Sequence, residues 1–124
     1  MSEIIYKEES YAVVGALFDV YNHLRSGFLE IVYKDALCYE FGLRRNPFER
    51  EKKYSITYKD RILPHNFYAD FVLFDKIILE IKSVENLHDK YIAQCLNYLR
   101  VSKCKLAILA NFHKDLLDHQ RIIL

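Results

Sequence analysis

The chain has 124 residues, 52% of them hydrophobic, and a formal net charge of +1. That length suits one domain over residues 1–124 with a real core and no need of staples, and the apolar fraction argues against a disordered chain. A near-neutral balance leaves any polyanion to be held by a local patch, for which Arg44, Arg45, Arg50, Lys52 and Lys53 are the candidate cluster, equally readable as a solvated loop and strand edge. Apolar runs such as Ile77-Ile78-Leu79 are too short to span a bilayer, and the N-terminus lacks a signal-peptide pattern, so a cytoplasmic location is expected. Cys38, Cys95 and Cys104 lack C-x-x-C spacing, which argues against a disulfide framework and a zinc site.

In chain order, Val13, Val14, Leu17, Phe18 and Tyr21 recur at helical spacing and predict a helix from Ser10 to Leu24, with Ser10 as its N-cap. Arg25-Ser26-Gly27 breaks it. A second helix is predicted from about Leu29 to Phe41, ended by Gly42. Within it Glu30 stands among Leu29, Ile31 and Val32, in a run that reads as a buried stripe. Beyond Pro47 the pattern becomes β-branched and aromatic: Tyr54 to Tyr58, a Lys59-Asp60 turn and Arg61 to Leu63 predict a strand and its return. Tyr68 to Phe74 and Ile77 to Ser83 predict two strands around Asp75-Lys76. Leu87 to Arg100 returns to helical spacing, with Tyr91 and Leu96 as core residues, followed by a buried strand at Leu106 to Ala110 and an edge strand at Arg121 to Leu124. The order α-α-β-β-β-α-β predicts an α/β fold with a mixed sheet flanked by helices.

The hairpin register carries the chemistry. A two-residue turn at Asp75-Lys76 would pair Phe71 with Glu80 and mix acids into an apolar face. An odd-length loop instead gathers Phe71, Leu73, Ile77, Leu79 and Ile81 on one apolar face, and sends Asp70, Glu80 and Lys82 to the other. Two carboxylates and an ammonium so placed suit a hard divalent cation such as Mg²⁺, and with it phosphodiester hydrolysis. A surface ion pair is the plainer alternative. The five histidines show no ligand spacing, and no Gly-rich phosphate loop, G-x-S-x-G elbow or Cys-His signature is present.

The D…E-x-K hairpin, preceded by a helix bearing a glutamate, resembles the PD-(D/E)xK nuclease superfamily. Gln94 and Tyr98 reproduce the Q-x-x-x-Y signature of one of its subgroups, and Gly27, Glu30 and Tyr33 match the G-x-x-E-x-x-Y motif that names a family of small proteins within it. The resemblance runs from about Ile5 to Leu124. It implies a restriction-endonuclease-like core and a Mg²⁺- or Mn²⁺-dependent nuclease acting on DNA. Asp70 and Glu80 would be its metal-binding acids, Ile81 would lend a main-chain carbonyl, and Glu30 would reach the metal or its water shell. Lys82 would be the catalytic lysine, Gln94 would orient it or a ligand, and Tyr33 and Tyr98 would support the site. Where the superfamily expects proline the chain has Ala69, and Tyr21 and Arg25-Ser26 depart from many relatives, which questions a catalytic role for the first helix. A homodimer is expected if both strands are cut. The competing reading is a catalytically silent nucleic-acid-binding or assembly module that keeps the fold.

Overall fold

Two helices precede the sheet in the computed structural model, which describes residues 4–124. Helix α1 (Lys7–Leu24) buries Val13, Ala16, Leu17, Val20 and Tyr21 along one stripe. It starts three residues before Ser10, and Ser10 is not its cap: Tyr6 occupies that position in a left-handed conformation. Ser10 is instead buried, its hydroxyl accepting a 2.5 Å hydrogen bond from the Arg121 guanidinium. Helix α2 (Glu30–Arg44) buries Tyr33, Leu37 and Phe41 and runs through Gly42. Its left-handed terminus falls on Arg45, because Arg44 is gripped in the last turn by Glu40 at 2.7 Å and by Asp19 of α1.

The sheet follows in chain order: β1 (Phe48–Tyr58), β2 (Arg61–Leu73), β3 (Ile77–Lys82), β4 (Leu106–Asn111) and β5 (Asp118–Ile123) are neighbours in that sequence. All pairs are antiparallel except β3 and β4, which run parallel and are joined through helix α3 (Asp89–Ser102). The expected mixed sheet flanked by helices is therefore present. The strand and return predicted at Tyr54–Leu63 are the distal ends of two longer strands, and β2 passes through Pro64 without stopping. It can do so because the register shifts there, from Ser55↔Asn66 to Thr57↔Ile62, where a residue without an N–H is tolerated.

One face of the sheet packs Phe71, Leu73, Ile77, Leu79 and Ile81 against α1 and α2. The other packs Val72, Ile78, Ala107 and Leu109 against Cys95 and Leu99 of α3. β4 is buried along its whole length, as a strand covered on both faces must be. Tyr91 and Leu96 pack partly buried against the α3 side.

Candidate active site

The β2–β3 hairpin has the odd-length loop that its apolar pattern demands. Phe71↔Leu79, Val72↔Ile78 and Leu73↔Ile77 are partners, leaving Phe74, Asp75 and Lys76 as a three-residue loop with left-handed φ of 57° at Phe74 and 56° at Asp75. Beyond Phe71 and Leu79 the backbone pairing ends and side chains replace it. Glu80 Oε2 accepts a 2.7 Å hydrogen bond from the Asp70 N–H, and Asp70 Oδ2 accepts a 2.8 Å bond from the Ile81 N–H. Each carboxylate is thus anchored on the other strand, and the two acids meet where the strands part. Both are buried, Asp70 at 7% and Glu80 at 3% exposure.

Burying two acids together has an electrostatic cost. Burial first, then the neighbouring Asp70 charge, pushes the Glu80 carboxyl up to about 8, against the opposing pull of the Asp70 N–H, Lys82 and Lys34. The counter-charge in contact with Asp70 comes from a residue the motif pattern does not point to. Lys34, on α2, places its ammonium 2.8 Å from Asp70 Oδ1, 3.9 Å from Glu51 and 4.0 Å from Glu30. Glu51 reaches this cluster from β1, where a left-handed φ of 53° interrupts the pairing between Arg50↔Phe71 and Lys52↔Ala69, opposite Asp70. Glu30 lies one helical turn before Lys34. Its neighbours are not a buried stripe, since Leu29 is 76% and Ile31 51% exposed. Glu30 stands off the Tyr33–Leu37–Phe41 stripe and faces the acids, and burial is the first cause of its raised pKa, with Lys34 and Lys82 opposing it.

Lys82 follows Glu80 by two residues, with its ammonium 5.1 Å from the centre of the Tyr91 ring, and makes no salt bridge among the described residues. The chain after it is held by Asn111, a residue without a motif-level signal beyond its place in the segment Ala110-Asn111-Phe112. Fully buried, Asn111 donates to the Val84 carbonyl at 2.8 Å and accepts from the N–H groups of Val84 at 3.0 Å and His113 at 3.2 Å.

The supporting residues divide. Tyr98 donates to the Tyr68 carbonyl at 2.9 Å, and burial followed by the Glu80 charge pushes its phenol up to about 12. Gln94 is exposed on α3, beside Tyr98 and Phe67 at a surface cavity of ≈ 400 Å³, and makes no hydrogen bond to the acids or to Lys82 among the described residues. Tyr33 is fully buried at the α1–α2 connection: its hydroxyl donates to the Arg25 carbonyl at 2.6 Å and accepts from the Phe28 N–H at 3.2 Å, and its ring stacks on Phe112 at 4.4 Å. Tyr33 clamps a loop in which Gly27 has a φ of 113°, a conformation suited to glycine. Much of the basic cluster is neutralised locally, Arg44 by Asp19 and Glu40, Arg50 by Asp35 at 2.8 Å, and Lys52 by Glu49 at 2.8 Å.

Residues 7–122 match the family model described as the PD-(D/E)XK nuclease superfamily. The chain belongs to that superfamily. The fold agrees: the crystal structure of SSO0001 superposes with a TM-score of 0.60 at 19% identity, covering 95% of this chain and 57% of that one. This chain therefore spans little more than half the length of that neighbour. No curated protein matches it.

PD-(D/E)XK nucleases generally use divalent metals, and the donor set here has the right chemistry for one. Asp70 and Glu80 offer hard carboxylate oxygens that are buried side by side, with a lysine already supplying positive charge at Asp70. Among the described residues no three His, Cys, Asp or Glu side chains converge as a ready-made cage. A two-carboxylate site is compatible with Mg²⁺, which usually retains several waters and takes only one or two protein carboxylates.

Proposed function

We propose that this superfamily member is a Mg²⁺- or Mn²⁺-dependent deoxyribonuclease of the GxxExxY family. The observation that carries the reading is the pair of buried carboxylates, Asp70 and Glu80, each held by the other strand's N–H, with Lys82 two residues further along β3. Two buried acids held this close favour a positive charge beside them, a place that Lys34 takes at Asp70 when no ion is bound. Asp70, Glu80 and the Ile81 carbonyl would hold the ion, with Glu30 reaching its water shell. When bound, the ion would supply an activated water and neutralise the charge that develops on the phosphate. Lys82, without a salt-bridge partner among the described residues, would steady that water and the charge developing beside it. Tyr98 buttresses β2 behind the acids through Tyr68, and Gln94 is left to face the substrate. Cutting both strands of a duplex needs two such sites, which a symmetric dimer would supply.

Nuclease assays over DNA and RNA substrates with Mg²⁺ or Mn²⁺ test the reading. Cleavage should require the metal and be lost in Lys82→Ala, and the metal should raise the melting temperature of the native protein but not of Asp70→Ala. Equal cleavage by wild type and Lys82→Ala would refute it. The second reading is a silent nucleic-acid-binding module, and nucleic-acid binding without metal-dependent cleavage would select it.

A further inference from the structure

We propose that Lys34 is a displaceable internal counter-ion: its ammonium takes the cation position beside Asp70 in the resting protein and must leave when a divalent ion binds. The proposal rests on the metal-site reading given above and adds a regulation of that site. Three carboxylates, from α2, β1 and β2, lie within 4.0 Å of the Lys34 nitrogen, and the nearest contact, at 2.8 Å, is to Asp70 Oδ1. The other Asp70 oxygen is already committed to the Ile81 N–H. Oδ1 is therefore the oxygen left for an ion, and Lys34 holds it. The lysine side chain is only 16% exposed, so its ammonium is held among the acids rather than out in solvent.

Lysine suits this part. Its charge is a compact point on a flexible four-carbon stem, so it can fill a cation position without the planar two-point grip of an arginine and can withdraw along its own helix surface. Glu30, one turn earlier on α2 and half-exposed, offers the withdrawn ammonium a partner. Three consequences follow. The acid cluster folds without metal, the apparent metal affinity is lowered by the fraction of molecules in which Lys34 occupies the site, and metal entry releases an ammonium next to the place where a substrate phosphate would dock.

Two measurements on the full chain test this. Calorimetric titration with Mn²⁺ should give about tenfold tighter binding for Lys34→Gln than for wild type, because the competitor is gone. Lys34→Arg, which keeps the charge and can grip Asp70 through two N–H groups, should bind more weakly than wild type, and it serves if the glutamine variant does not fold. In wild type, acylation of Lys34 by an amine-reactive ester, followed by peptide mass spectrometry against the exposed Lys59, should rise severalfold on adding Mn²⁺. If Mn²⁺ binds wild type with unchanged Lys34 labelling, or binds Lys34→Gln no more tightly, displacement is overturned while the metal reading stands. If neither protein binds Mn²⁺ at millimolar concentration, both are overturned together.

Discussion

Replacing Glu80 by glutamine should stabilise the metal-free protein at alkaline pH and leave it no more stable, or less, at acid pH. The native carboxyl keeps its proton up to about 8, whereas the ordinary value is 4.5. Between those values the folded state binds more protons than the unfolded one, so this group makes wild-type stability fall as pH rises from 4.5 towards 8. At about 1.4 kcal/mol per pH unit the full displacement corresponds to about 5 kcal/mol, and the part developed at neutral pH to about 3 kcal/mol. Glutamine keeps the volume and an oxygen to accept from the Asp70 N–H, but carries no charge to desolvate. Its new amide N–H groups need partners in a buried site, which costs about 1–3 kcal/mol. The expected net gain is therefore about 2–4 kcal/mol near pH 8, vanishing or reversing near pH 5. Urea unfolding of both proteins in chelator across that range measures it. A wild-type-minus-variant difference that does not change with pH would refute the claim that Glu80 is held protonated by burial and by Asp70.

Asn111→Ala removes three hydrogen bonds from a fully buried amide, leaving Val84 and His113 backbone groups without it, and should cost about 2–3 kcal/mol in chemical denaturation. The same change frees the chain just after Lys82, so faster amide exchange at Val84 is expected, and unchanged exchange would count against the role given to Asn111. Tyr33→Phe removes only the hydroxyl that joins Arg25 and Phe28, and should cost about 1–2 kcal/mol. Because Tyr33 clamps a loop rather than touching the acids, its Mn²⁺ affinity by calorimetry should match wild type, and a large loss would place it in the site after all.

The alternation Phe71, Leu73, Ile77, Leu79 and Ile81 made the hairpin readable from the sequence, because a slip of one residue would have put Glu80 into an apolar face. The shared face of Asp70 and Glu80 follows from burial of that apolar face alone. Helix ends were less legible. Ser10 has the chemistry of a cap, but its hydroxyl is used by Arg121, 111 residues away in the chain, and Gly42 does not stop α2 because Arg44 beyond it is held by Asp19 and Glu40. Local preferences of about 1 kcal/mol yield to such tertiary contacts.

The residues that set the charge of the site were hidden for a related reason. Lys34 and Glu51 carry no motif: one is an ordinary lysine one turn after Glu30, the other an acid inside the run Arg50-Glu51-Lys52-Lys53. Lys34 meets Asp70, and Glu51 meets Lys34, only because α2 comes against the strands and the backbone of β1 turns left-handed at Glu51. Periodicity along one strand or helix determines which side chains share a face, since that is a property of backbone geometry. Which ammonium answers which carboxylate depends on how separate layers come together, and Coulomb attraction acts over distances in space that spacing along the chain does not encode.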